Sequence, residues 1–261
     1  MPRHQGKHRG GSGKVSGATR ENAASFYTAV QQFWKEQEMD IRQALQQRRS
    51  VRAFLPRNVA AATVRDLLET AAQAASGGNM QPWRVTAVGG QALEDLCARA
   101  RETEAVPRPG LSYPPGLWEP YRSRRFENGE DLYRSLNIGR EDKAARLAQL
   151  AKNGQMFGAP VGIFVAVEER MGYAQWVDLG IYLQSFMLLA VEHGLATCAQ
   201  GFWRMYNDIL IEQLALPEGY QIAFGIALGY EDVSAPINQW RASRAASHEW
   251  LALKGLDEAA D

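Results

Sequence analysis

Cysteine is nearly missing from this chain: Cys97 and Cys198 are the only two among 261 residues. Two thiols cannot build the disulfide framework on which small secreted domains depend, and their scarcity points to a reducing, cytoplasmic setting. Histidine is almost as rare. His4, His8, His193 and His248 form no ligand spacing with either cysteine, so no metal site is expected. A surplus of one charge is missing too, since Lys plus Arg and Asp plus Glu each total 29. That balance gives no general attraction to nucleic acid or to an anionic membrane, and any anion site has to be assembled locally. There is no Gly-x-Gly-x-x-Gly unit between a strand and a helix, so a separate dinucleotide fold is not expected. No internal repeat is found.

What is present is ordinary globular composition, 46% hydrophobic and 22% charged, enough to bury a cofactor in a core. Residues 1–20 hold five Lys/Arg, several Gly and Ser, no acid, and no apolar run of the kind a secretory signal needs. Gly10-Gly11-Ser12-Gly13-Lys14 resembles a phosphate loop only in part: the spacing is short and Val15 stands where Ser or Thr belongs. Residues 1–25 are therefore expected to be a disordered tail, and residues 26–261 a single domain.

Helical segments are expected at residues 26–38, 40–48 and 64–75, the last with Val64, Leu67, Leu68 and Ala71 at helical spacing. Short apolar runs bounded by Gly or Pro mark strands at 84–89, 161–167, 197–202 and 221–229. Strands alternating with helices argue for an α/β or α+β sheet covered on both faces. Residues 175–193 are apolar all round a helix, interrupted by Asp178, Gln184 and Glu192, too few apolar residues in a row for a membrane span. That helix belongs in the core or in a subunit interface, and Gly194 is placed to end it. Between Pro107 and Arg140 the periodicity dissolves into a sequence rich in Pro, Gly, Arg and Tyr. Its aromatics, Tyr113, Trp118, Tyr121, Phe126 and Tyr133, argue against disorder. An ordered, lid-like excursion over a site, without regular structure, is expected there.

Three segments carry chemistry. Arg48-Arg49-Ser50-Val51-Arg52 crowds three guanidiniums and a hydroxyl, which repel unless an anion sits among them. Read alone, the cluster is better explained as a solvated basic turn. Ala75-Ser76-Gly77-Gly78-Asn79-Met80-Gln81-Pro82-Trp83 follows a helix. Its glycines permit close backbone approach to a ligand, and its amides offer paired donors and acceptors that suit the imide edge of a flavin. Thr197-Cys198-Ala199-Gln200-Gly201-Phe202 begins as a strand, with Gly201 opening the main chain to a ring atom. Near the C-terminus, Arg241 and Arg244 add two more cations.

Taken together, Arg-Arg-Ser-x-Arg followed by Ser-Gly-Gly-Asn-x-Gln-Pro-Trp resembles the opening of the FMN-dependent nitroreductase family. The likeness continues through GAPVGIFVAV, the helix with Asp178, Gly180 and Gln184, GLATCAQGFW and LGYEDVSAPINQWRASR, roughly Ile41 to Leu251. The insertion YPPGLWEPYRSRRFENG is similar to that of reductases acting on nitrobenzoate-like aromatics. The chain departs from many relatives at Ala75, where Pro is usual, and at Gln200, where an acid is common.

The resemblance implies an α+β fold with a central, mainly antiparallel sheet flanked by helices, in an intertwined homodimer with FMN at the subunit interface. It implies that Arg48, Arg49, Ser50 and Arg52 hold the phosphate and ribityl side from one subunit, with Arg244 and Arg241 completing the clamp. Ser76, Gly77, Asn79 and Gln81 would approach the same flavin from the other subunit. Main-chain groups of Gln200 and Gly201 would face N5 and O4, with Asn153 a further ring-edge candidate. NAD(P)H would deliver hydride to N5 in a ping-pong scheme, with no catalytic acid or base side chain and Arg52 stabilising the reduced, anionic ring. Tyr121, Arg122 and Arg125 of the insertion, beside Arg124, are the candidates for binding a small aromatic substrate. The acceptor class left open includes quinones, enones and halogenated aromatics, and a non-catalytic flavin-binding regulator is the rival outside enzymes.

Overall fold

The structure is a computed structural model that describes residues 39–107 and 113–256. The expected tail and the helix at 26–38 lie outside the described residues, as does a short part of the 107–140 insertion.

A four-stranded sheet in the order β1-β2-β4-β3 organises the fold, with every neighbouring pair antiparallel. Its strands are β1 (Arg84–Gly89), β2 (Val161–Glu168), β3 (Ala196–Gln200) and β4 (Tyr220–Gly229). β2 is central, and all but its last residue are buried. The period-2 alternation of a strand divides its side chains between two cores. Ile163, Val165 and Val167 face one core with Leu67, Leu179, Tyr182 and Phe186. Phe164 and Ala166 face the other with Leu96, Met156 and Trp203. Both faces of the sheet are thus covered, as the apolar runs require.

Helices α1 (Ile41–Gln47), α2 (Ala61–Ala71), α3 (Gly90–Glu102), α4 (Tyr121–Ser135), α5 (Lys143–Ala151), α6 (Tyr173–Glu192), α7 (Asn207–Gln213) and α8 (Pro236–Gln239) surround it. α6 is the helix that reads apolar on every side. By length and composition it is apolar enough to cross a bilayer, but Leu179, Tyr182, Phe186 and Ala190 pack into the sheet core, and Trp83 stacks on Tyr182 at 5.1 Å. Its opposite side is apolar and bare: Tyr173 is 94% exposed, Val177 64% and Ile181 39%. Gly194 ends it at φ +68°, with the Leu195 N–H donating back to Ala190 O at 2.8 Å.

Four expectations change. α2 starts at Ala61 and stops at Ala71, three to four residues earlier than the periodicity suggests. α3, α5 and α7 were not anticipated. The third strand ends at Gln200, and Gly201–Tyr206 turn into a 3-10 helix. That turn tucks Trp203 under β4, where a Cβ on Gly225 would sit 2.4 Å from the indole Cδ1. The insertion is not free of regular structure, because residues Tyr121–Ser135 form α4, a helix with no buried residue. A helix that buries nothing has no apolar stripe, and so no period to read.

Candidate functional site: an arginine-lined cavity

α1 is only seven residues long, and the chain leaves it straight into Arg48. The following stretch is stitched onto the sheet. Ser50 bridges Thr197 in parallel, and the Val51 N–H donates to Thr197 O at 3.0 Å. Phe54 bridges Glu231, and the Leu55 N–H donates to Tyr230 O at 2.8 Å. Arg48, Arg49, Ser50 and Arg52 are thereby fixed beside β3 and the end of β4. From the other end of the chain, α8 leads into Arg241 and Arg244. Together these residues, with Trp240 and Asn128, line a cavity of about 390 Å³.

The five guanidiniums in that cavity are not equivalent. Arg49 Nη2 pairs with Glu231 Oε1 at 2.5 Å, while its Nε is buried with no hydrogen-bond partner among the described residues. Arg241 donates to the last carbonyls of α1, Gln46 O at 2.6 Å and Gln47 O at 3.3 Å, where the helix dipole favours a cation. Arg244 Nη1 folds back onto Ala242 O and Ser243 O, and Arg52 Nη1 onto Ser50 O at 3.3 Å. Neither has an acidic partner among the described residues. Burial, then the neighbouring Arg244 and Arg241, hold the Arg48 guanidinium below its usual pKa. Arg48, Arg52 and Arg244 are therefore three cations facing one cavity with no carboxylate among the described residues to neutralise them. A dianion with several acceptor oxygens fits that arrangement, and a terminal phosphate ester is such a group.

The second expected segment is built with equal care. Ser76 leads into the 3-10 turn Gly77–Asn79, and the backbone runs through the left-handed region at Gly78 (+58°), Asn79 (+57°) and Gln81 (+49°). Non-glycine residues seldom hold such angles unless their surroundings impose them. Two contacts impose them here. Ser76 Oγ accepts from the Gln81 N–H at 3.0 Å, and Oδ1 of buried Asp178 accepts from the Gly77 N–H at 3.1 Å. The side chains of Asn79 and Gln81 are left at the surface.

The two segments do not meet within one chain. The loop 76–81 is pinned to Asp178, in the first half of α6, whereas Arg49 and Arg241 border Val191, Gly194 and Thr197 at its far end. From Asp178 to Gly194 the chain climbs about 24 Å, at the 1.5 Å per residue of a helix.

In the third segment, the Gln200 side chain turns into the core. Its Nε2 donates to Asn153 O at 2.9 Å and Asn153 Oδ1 at 3.2 Å, and its Oε1 accepts from Trp203 Nε1 at 3.3 Å. Asn153 is thus a support for Gln200, and Gly201 is exposed at the start of the 3-10 turn. The insertion candidates lie elsewhere. Tyr121 packs edge-on against Trp118, Arg122 pairs with Glu119 at 2.7 Å, and Arg125 stacks over Tyr113 at 4.4 Å. None of the three lines the arginine cavity; Asn128 does. Sequence reading missed Asn128, Glu231 and Asn238, because each is a common polar residue whose partner is remote in sequence.

Comparison with known proteins gives the chain a family. The family model described as "Nitroreductase family" matches residues 45–230. A 4-nitrobenzoate reductase of Nocardioides sp. (strain LMS-CY) is 39% identical over 209 residues, covering 77% of this chain and 83% of the relative. A nitrobenzene nitroreductase of Ectopseudomonas oleovorans is 34% identical over 211 residues, covering 79% and 93%. Among solved structures, the FMN and NADPH-dependent nitroreductase NfnB of Sphigopyxis sp. strain HMH superposes with a TM-score of 0.78 at 42% identity, covering 84% of this chain and all of that one. By motif, by fold and by overall similarity, the chain belongs to the nitroreductase family.

Proposed function

We propose that the protein is an FMN-dependent oxidoreductase that takes reducing equivalents from NAD(P)H and passes them to nitroaromatic acceptors. The carrying observation is the cavity in which Arg48, Arg52 and Arg244 converge without a carboxylate partner among the described residues. The relatives whose printed names specify FMN, NADPH and nitroaromatic substrates support the same reading.

The residues fit the cofactor. Arg48, Arg52 and Arg244 would hold the phosphate, Ser50 would add a hydroxyl donor, and Arg49, oriented by Glu231, would contribute through its unpartnered Nε. Ser76, Asn79 and Gln81 would meet the polar edge of the ring. Bound FMN supplies the redox chemistry, accepting hydride from the nicotinamide and returning it to the acceptor. The protein's part is to fix and orient. A preorganised cationic wall stabilises the phosphate and, through Arg52, negative charge that develops on the ring. No side chain in the cavity is assigned as a proton donor, and none is needed for hydride transfer.

The homodimer belongs to the same reading. Loop 76–81 and the arginine cavity lie at opposite ends of α6, so one chain cannot bring both to one flavin. A second copy, packed across the bare stripe of Tyr173, Val177 and Ile181, would lay its loop beside the first copy's cavity. A two-fold axis makes that exchange reciprocal and gives two equal sites. The single domain and the reducing compartment, which suits two buried free thiols, complete the proposal.

Absorption spectra of the purified protein before and after anaerobic addition of NADPH test it. The expected result is a flavin band that bleaches on addition and returns when a nitroaromatic is added. A flavin band that NADPH and NADH both leave unchanged would point to the regulatory rival, and the absence of any flavin would overturn the cofactor assignment.

A further inference from the structure

The inference concerns α4 and rests on the reading of the arginine cavity as the flavin phosphate site. α4 buries no residue, and the side-chain contacts that fix it are largely ion pairs and ring contacts. Arg146 grips both oxygens of Glu130 with Nη1 and Nη2, at 2.6 and 3.0 Å, and Arg124 Nη2 reaches Glu249 Oε2 at 2.8 Å. So anchored, the helix lies against α8, and Asn128 joins Arg48, Arg52 and Arg244 in lining the cavity. The arginines of α4 are engaged elsewhere: Arg122 with Glu119, Arg124 with Glu249, Arg125 with Tyr113 and Arg134 with Asp131.

We propose that Asn128 is a phosphate-binding residue, its amide NH2 donating to an FMN phosphate oxygen so that the insertion helix closes the anionic end of the cofactor site. A phosphate dianion offers more lone pairs than three guanidiniums need fill. Another cation at this point would add to the repulsion already felt by Arg48. A carboxamide instead supplies two donors without charge. The insertion therefore serves the cofactor's tail with a neutral residue, while its own cations are held in ion pairs and ring contacts.

The test uses full-length protein stripped of flavin and titrated with FMN or with riboflavin, which lacks the phosphate. Asn128 is on an exposed helical face, so substitution leaves both cores intact, and circular dichroism of each variant verifies this. Asn128→Ala is expected to weaken FMN roughly ten- to hundredfold, as loss of a hydrogen bond to a charged group does, and to leave riboflavin unchanged. Asn128→Asp is expected to weaken FMN further, because its carboxylate competes with the phosphate for the arginines, again sparing riboflavin. Equal losses for both ligands, no loss of FMN, or an Asp variant no weaker than the Ala variant each overturn the proposal. Arg48→Ala combined with Arg244→Ala is the control on the underlying reading. If it abolishes the preference for FMN over riboflavin while the Asn128 variants keep it, the role of Asn128 alone is refuted. If neither set alters that preference, the phosphate assignment falls as well.

Discussion

Asn238 Oδ1 accepts a hydrogen bond from the backbone N–H of Arg52 at 2.9 Å, across 186 positions of sequence. Its Nδ2 donates to Ala53 O at 2.8 Å and to Asp232 O at 2.9 Å. One buried side chain therefore ties the first arginine motif to the segment that carries Arg241 and Arg244. Asn238→Leu keeps the branched heavy-atom outline and strands three backbone groups, each costing about 1–3 kcal/mol when left unpaired. A loss of at least ~3 kcal/mol in urea unfolding is expected, with FMN retention falling more than riboflavin affinity.

Arg48→Ala together with Arg244→Ala is expected to purify without colour. Hydrogen bonds to a charged phosphate contribute about 1.5–3 kcal/mol each, so losing one from each arginine weakens FMN roughly hundredfold to ten-thousandfold. The ratio of flavin to protein absorbance after desalting measures it. A double variant with full flavin content would contradict the assignment.

Gln200→Glu introduces the acid that the family resemblance suggests for this position, and here it is expected to be harmful. Gln200 Nε2 faces two acceptors of Asn153, the backbone O and Oδ1. A carboxylate cannot donate to either, and the buried mismatch costs about 1–3 kcal/mol at neutral pH. Stability should recover as the pH is lowered far enough to protonate the new carboxyl, which thermal melts across the acid range would follow.

Val177→Asp puts a charge into the exposed stripe of α6. If that stripe joins two copies, sedimentation should show monomers and the flavin should be lost with the dimer. Dimers that persist with bound FMN would place the interface elsewhere.

Burial pushes the Cys97 and Cys198 thiols from 9.0 to about 11. A native pKa above the unfolded one favours the protonated thiol in the fold. The corresponding stability is intact below pH 9 and is lost as the pH climbs from 9 towards 11, since the unfolded chain ionises first. Urea midpoints should hold level up to that point and then fall, and Cys198→Ala should flatten part of the fall. At about pH 8 neither thiol should react with a disulfide reagent until the protein unfolds.

The sheet was legible because β1, β2 and β4 are apolar runs closed off by Gly or Pro. β2 and most of β4 are buried on both faces, which leaves few other ways to place such runs, whereas β1 buries no residue and was legible from its boundaries alone. The third strand was legible only as far as Gln200. Phe202 and Trp203 continue an apolar pattern, yet Trp203 leaves the strand to fill the space that Gly225 keeps open, a contact no local rule contains. The arginines and the glycine loop stood out because crowded charge and paired glycines are costly without a purpose. Their supports did not. Glu231 stands 182 positions from Arg49, and Asn128 sits in a helix that buries no residue and so shows no apolar face to read.

α6 also works as a gauge. One side of it is fixed to the sheet, so its length sets how far the left-handed loop held by Asp178 stands from the cationic pocket beyond Gly194. An extra turn between Asp178 and Gly194 would add about 5.4 Å to that interval and would carry Phe186 and Ala190 out of register with the sheet core they fill. In the proposed two-fold pair the loop and the cavity of one chain would serve different flavins, so the change would displace one grip at each of the two sites. The length of α6 is therefore constrained twice, by the core it packs and by the distance it sets between loop and cavity.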